Sequence, residues 1–192
     1  MFHRNFLRGK SVHVCVLQQS IEPHIFDFIR NYLPKIYENG LIDVVDLKFV
    51  PFPYLPCRRD HLDTCILNKA ELCVIDALPN VNEQVPFISC VERLRLLADH
   101  QWETCSKKLN LNTELIRDCI HSFRLLLIEK RNAAEIKALQ PPLEGVPWIV
   151  VDGQHVEGYP NFISYICKAY KGTDPLPGCS SSVNSVKLDA SE

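Results

Sequence analysis

The run Val12–Leu17 limits most strongly what this chain can fold into. Apart from His13 it is continuously apolar, and three of its six residues are valine. A short apolar run rich in β-branched residues suits a central strand buried on both faces. Ser20 follows as the expected helix N-cap, with Pro23 in the first turn. Ile25, Ile29, Tyr32, Leu33 and Ile36 then recur at helical spacing. Pro34 predicts a kink in that helix, and Gly40 its end. Asp43–Val50 reads as a second strand, with Val45, Leu47 and Phe49 alternating. Strand, helix and strand in this order impose two parallel strands joined by a right-handed crossover.

Pro51, Pro53 and Pro56 break the chain after the second strand. From Leu62 to Leu139 the pattern is helical, with helices expected near 61–78, 84–98, 99–109, 113–121 and 123–139. Pro141–Pro142 closes this region. Val146–Val151 is the next strand, and Asp152–Gly153 is a two-residue hairpin signal ahead of a short return strand, Gln154–Val156. Pro160 opens a last helix carrying Phe162, Ile163, Ile166 and Tyr170, with Gly172 as its stop. The order predicts an α/β, thioredoxin-like fold, with a helical insertion at about 57–140 between the βαβ half and the β-hairpin/helix half. The domain spans 12–179. Residues 1–11 form an N-terminal segment, and the Ser-rich stretch 180–192 reads as a disordered tail.

Charge gives no case for nucleic acid: 23 acidic residues face 21 basic ones, and the longest basic runs are the pairs Arg58–Arg59 and Lys107–Lys108. No segment has the length of a membrane span, so no membrane insertion is expected. The nine cysteines stand at 15, 57, 65, 73, 90, 105, 119, 167 and 179. None has the two-residue spacing of a zinc ribbon or a redox motif, and no His cluster accompanies them. No metal and no cofactor are expected. Structural disulfides in an oxidising compartment account better for so many cysteines. Met1–Lys10 has three basic residues but no apolar stretch of signal-peptide length. The residues fix neither oligomeric state nor compartment.

Three stretches carry a resemblance. Leu139-Gln-Pro-Pro-Leu-Glu-Gly-Val-Pro-Trp-Ile-Val-Val-Asp-Gly153 resembles the Leu-x-Pro-Pro … Val-Pro-Trp-Val-x-x-(Asn/Asp)-Gly signature of the gamma-interferon-inducible lysosomal thiol reductase family. Cys65-Ile-Leu-Asn-Lys-Ala-Glu-Leu-Cys73 is similar to its Cys-x-x-(Asn/Asp)-x-x-Glu-Ala-Cys helix, and Phe87-Ile-Ser-Cys90-Val-Glu to its Phe-x-x-Cys-(Met/Val)-Glu. Trp102-Glu-Thr-Cys105 and Ile166-Cys-Lys-Ala-Tyr-Lys-Gly172 are most similar to the plant branch. The resemblance implies reduction of protein disulfides in lysosomal, vacuolar or secretory settings. It implies a cis bond at Val146–Pro147 bordering a substrate groove, with Trp148 alongside. It also implies that Cys57, Cys65, Cys73, Cys90, Cys105, Cys119, Cys167 and Cys179 form a disulfide framework. Their pairing is open, and Cys15 is the odd one.

The family places a Cys-x-x-Cys motif at the start of the first helix. There unpaired N–H groups lower a thiol's pKa, and the second cysteine resolves the mixed disulfide. Laid on this chain without gaps, the motif reads Glu22-Pro23-His24-Ile25, with no sulfur at either end. The family's Cys-Gln-His-Gly-x-x-Glu-Cys also corresponds to an altered stretch, Cys57-Arg-Arg-Asp-His-Leu-Asp-Thr-Cys65. No catalytic residue is therefore assigned.

Glu22 reads first as a favourable first-turn acid, worth about 0.3–1 kcal/mol. Glu22 and His24 are two residues apart on a helix and do not face each other, so they make a poor acid–base pair. Pro23, His24, Val146, Pro147 and Trp148 are expected to line the old groove. Cys15 is expected in the core, and Tyr159 on the surface. The resemblance points to a non-catalytic module with protein or peptide ligands. The alternative is a thiol oxidoreductase acting through another cysteine.

Overall fold

The computed structural model describes residues 11–19, 22–53, 62–97 and 101–180. The expectations for Met1–Lys10, Ser20, Cys57 and residues 181–192 lie outside them. β1 (Val12–Gln18) pairs in parallel with β2 (Val45–Pro51), with Val12 beside Val45 and Gln18 beside Pro51. β3 (Trp148–Val151) runs antiparallel to β1 on its other side, and β4 (Gln154–His155) antiparallel to β3. The strand order is β2-β1-β3-β4. This is the thioredoxin-like sheet that the element order predicted.

The β1–β2 crossover starts with α1 (Pro23–Asp27). Its N-cap is Glu22, whose carboxylate itself reaches the first free N–H groups. A π-helical turn, Phe28–Tyr32, follows, and then α2 (Pro34–Glu38). The proline explains the break. Pro34 has no N–H, and its ring would press on the carbonyl four residues back in a regular helix. The wider turn closes instead with the Leu33 N–H bonding the Phe28 carbonyl at 2.9 Å. Pro34 then opens α2, where it costs nothing. Gly40 ends this crossover at φ +68, a left-handed position that suits glycine.

The two faces of the sheet differ. Val12, Val14 and Val16 bury against Ile25, Phe28, Ile29 and Phe162 in the main core. Leu17 buries on the other face with Trp148 and Val50. The expectation of burial on both faces is corrected at the foot of β1. His13 is exposed there, with Nδ1 2.9 Å from an Asp46 carboxylate oxygen, and Cys15 is only half-buried. The cover over that face stops short of these residues.

The insertion comprises α3 (Leu62–Ala77), α4 (Val81–Leu97), α5 (Trp102–Lys108), α6 (Thr113–Ile120) and α7 (Phe123–Lys137). It has its own core around Leu67, Leu72, Phe87, Val91 and Ile128. Disulfides Cys73–Cys119 and Cys90–Cys105 staple it. Cys65 is disulfide-bonded as well. Buried polar side chains join the insertion to the strand ends. Gln18 donates to Glu71 at 3.1 Å, Asn68 to the Phe52 carbonyl, and Asn132 to the Pro51 carbonyl at 3.1 Å. Asn68 and Glu71 are the polar positions of the Cys65–Cys73 signature, which therefore holds the insertion to the sheet.

The β3–β4 turn has positive φ at both Asp152 (46°) and Gly153 (82°), the two-residue hairpin that the sequence announces. α8 (Phe162–Ala169) ends three residues ahead of Gly172, with Tyr170 extended. An unforeseen short helix, α9 (Pro177–Ser180), is held to α8 by the Cys167–Cys179 disulfide. Among the described residues no helix is long and apolar enough to cross a membrane.

Candidate functional site

β1 delivers the chain to Glu22 at one end of the sheet. The pairing of Leu17 with Trp148 brings the entry to β3 to that same end. The cis Val146–Pro147 bond implied by the resemblance is present there. Val146 is half-buried against the same core as Ile25. The fold thus places the start of α1 and the cis-proline turn together.

At that site Glu22 Oε2 accepts from the backbone N–H groups of His24 (2.7 Å) and Ile25 (3.0 Å). A carboxylate occupies the place where a motif thiolate would gather the same donors. Ile25, at the second motif position, is fully buried in the core (0% exposed). Pro23 and His24 are exposed at the helix start. His24 offers its backbone, not its ring, to Glu22, in keeping with their poor placement as an acid–base pair.

Trp148 is not brought to this face. Its indole packs with Leu17 and Val50 on the opposite side of the sheet. There it stacks on the His155 ring at 3.6 Å and 15°. Sequence reasoning missed Tyr159, which is half-buried beside the helix start. Its hydroxyl donates to Asp27 Oδ2 at 2.6 Å, and Asn31 donates to Oδ1 of the same carboxylate at 2.6 Å. Hydrogen bonding to Asp27, more than burial, pushes the Tyr159 hydroxyl up to about 12. The same bonds hold the Asp27 carboxyl below its usual range. The Tyr159 ring meets Tyr32 and Phe28 edge-on at 5.3 and 6.1 Å, and lies 6.4 Å from His24. Its signal in the sequence was Gly158-Tyr159-Pro160, an aromatic at a forced turn directly after the hairpin.

Cys15 is a free cysteine, and no other is free among the described residues. Burial, and then the nearby Glu135 carboxylate, push its thiol up to about 11, while Lys48 pulls the other way. It is a poor nucleophile at neutral pH. Among the described residues no group of three His, Cys, Asp or Glu side chains is placed to hold a metal.

The family model "Gamma interferon inducible lysosomal thiol reductase (GILT)" matches residues 13–109, which include the altered motif. An Arabidopsis thaliana "Gamma-interferon-responsive lysosomal thiol protein" is 31% identical, over 97% of this chain and 84% of the relative. The Mus musculus "Gamma-interferon-inducible lysosomal thiol reductase" is 28% identical over 67% of this chain and 52% of the relative. Solved structures show the fold. "MdbA protein, a thiol-disulfide oxidoreductase from Corynebacterium diphtheriae" superposes with TM-score 0.67 at 11% identity, covering 84% of this chain and 86% of that one. Chlamydia trachomatis DsbA superposes with TM-score 0.64 at 14% identity, covering 94% and 90%. Signature residues, sheet topology and these likenesses agree: the chain belongs to the gamma interferon inducible lysosomal thiol reductase family.

Proposed function

We propose that this chain is a non-catalytic member of its family, binding extended peptides or unfolded chains beside the cis-proline turn without exchanging disulfides. The observation that carries this reading is the Glu22 carboxylate, which takes up the helix-start N–H groups with no sulfur at position 22 or 25. A carboxylate can accept those bonds but cannot attack a disulfide. Cys15, with its raised pKa and partial burial, gives no support to a substitute nucleophile. The binding half of the proposal rests on Val146, Pro147, Pro23, His24 and Tyr159, which border the site. A lysosomal, vacuolar or other secretory address agrees with the disulfides and with the names of the relatives.

The test joins two assays on the oxidised full-length chain. With a thiol reductant and a disulfide-bonded protein substrate, the expected turnover equals the reductant background at both acidic and neutral pH. A fluorescent, reduced and carboxymethylated polypeptide should bind saturably, and Val146→Arg should weaken it. Turnover that stops when one cysteine is alkylated would overturn the non-catalytic reading. Binding untouched by Val146→Arg would overturn the location.

A further inference from the structure

The outer edge of β2 is a second place where this fold can hold polypeptide. The β1–β2 ladder opens with the Val12 N–H on the Val44 carbonyl and closes with the Phe52 N–H on the Gln18 carbonyl. Strand alternation then turns the N–H and C=O groups of even-numbered residues toward β1, and those of Val45, Leu47, Phe49 and Pro51 outward. Pro51, which has no N–H, falls on the outer edge, where no ladder bond is lost. The Asn132 side chain caps its carbonyl at 3.1 Å. Among the described residues no hydrogen bond is recorded to the outward groups of Val45, Leu47 or Phe49, although Leu47 and Phe49 are only 7% and 2% exposed. Backbone groups so nearly buried call for partners.

Of these residues, Leu47 and Phe49 line a cavity of about 460 Å³, together with Pro51. Ile75, Leu78 and Val81, around the α3–α4 corner, line it as well, as do Ile128 and Arg131 of α7. At about 3.3 Å per residue, Val45 to Phe49 spans about 13 Å, the length of a short extended segment. The walls argue against a second copy of this chain, whose own edge strand would bring helices on both faces against them. Charge marks the occupant. Asp46 and Lys48 lie two apart on one face of the strand, with side chains 65% and 57% exposed despite their contacts with His13 and Glu135.

We propose that this edge is a docking slot for an extended segment of a partner protein, which adds antiparallel to Val45–Phe49 and sets an acidic residue opposite Lys48 and a basic residue opposite Asp46. In that register the residue opposite Leu47 exchanges both backbone bonds with it. The pairs at Asp46 and Lys48 are the non-hydrogen-bonded ones, whose side chains approach most closely. The slot is separate from the cis-proline site and does not depend on it.

The probe is fluorescein-labelled Thr-Val-Glu-Val-Lys-Val-Thr with blocked ends, titrated against the full-length chain by fluorescence polarisation. Saturable binding is expected, at least about tenfold weaker when the central valine is N-methylated, because that residue's N–H bonds to Leu47. Exchanging Glu and Lys in the peptide should weaken binding about two- to fivefold. The exposed Asp46→Lys variant should instead prefer the peptide with glutamate at both charged positions. Amide hydrogen exchange should slow at Leu47 and Phe49 with the parent peptide only. Absent binding, equal binding of the N-methylated peptide, or protection near Val146 instead would each overturn the proposal. So would concentration-dependent dimerisation lost in Asp46→Lys, which would make a second copy the occupant.

Discussion

The Tyr159 hydroxyl and the Asp27 carboxylate are joined at 2.6 Å, tying the turn after β4 to the first helix. The bond lowers the folded-state pKa of Asp27 and raises that of Tyr159 to about 12. Its stabilisation is full above the ordinary carboxylate range, near 3.9, and is lost as pH falls through the depressed value. At the alkaline end it persists to about pH 10 and fades as pH rises through about 12. Tyr159→Phe should cost about 0.5–1 kcal/mol at pH 7, less than the roughly 1.5–3 kcal/mol of bonds to charged groups because solvent screens the pair. Urea unfolding at pH 7 and pH 3 checks this. A deficit undiminished at pH 3 would place the effect in packing, not in the ionised pair.

Cys15 should be slow to alkylate in the folded chain. With the thiol near 11, the thiolate fraction at pH 7.5 is about three in ten thousand, against about a tenth for an ordinary cysteine. Iodoacetamide should therefore react at least about a hundredfold more slowly with the native protein than with the unfolded one. Burial is the largest cause and Glu135 the next, so Glu135→Gln should speed the reaction. Removing Lys48, which pulls the pKa down, should slow it. Mass spectrometry of the labelled peptide reads both. Rapid native labelling of Cys15 would reopen it as a candidate nucleophile.

The fold was legible where local chemistry acts alone. Val12–Leu17 and the Asp152–Gly153 turn each announce their structure within a few residues, whereas the cis bond at Pro147 was expected only from the family resemblance. The cap at Glu22 was less so, because only the backbone path shows that its carboxylate reaches the His24 and Ile25 N–H groups. The face on which a strand residue lies depends on what covers it. Trp148 was therefore placed at the groove by its neighbour Pro147, although strand alternation sends the indole to the other side. Tyr159 and Gln18 were silent for a related reason. Their roles depend on Asp27 and Glu71, which lie 132 and 53 residues away in sequence.

Glu129 gives the insertion an acid-favouring stability. It is 2% exposed, and its Oε1 has no hydrogen-bond partner among the described residues. Burial raises its pKa, with Lys69 opposing. A carboxyl whose folded pKa lies above its unfolded value binds more protons when folded. Its charge therefore destabilises the chain as pH rises through and beyond the ordinary glutamate range near 4.3. Glu129→Gln should raise stability at pH 7 by on the order of 1 kcal/mol, with the gain shrinking toward pH 4. Denaturant midpoints at the two values decide it. A loss at pH 7 would mean that the Lys69 attraction outweighs burial.

Restoring sulfur at positions 22 and 25 tests whether the scaffold still supports the family's chemistry. Glu22→Cys would put a thiolate where the carboxylate now accepts the His24 and Ile25 N–H groups, one helical turn from position 25. Those donors favour the charged form, so the Glu22→Cys thiol should titrate below about 8.5. Ile25→Cys empties part of a fully buried site, at a cost of about 1–3 kcal/mol. It would leave the resolving sulfur shielded from solvent. The double variant should reduce a model disulfide that the parent leaves intact. Thiolate absorbance against pH reads the first effect, and the reduction assay the second. A folded double variant with a lowered thiol pKa but no turnover would mean that the groove, and not only the sulfur pair, has changed. A thiol at 8.5 or above would mean that the start of α1 no longer favours the charge on which the family's chemistry depends.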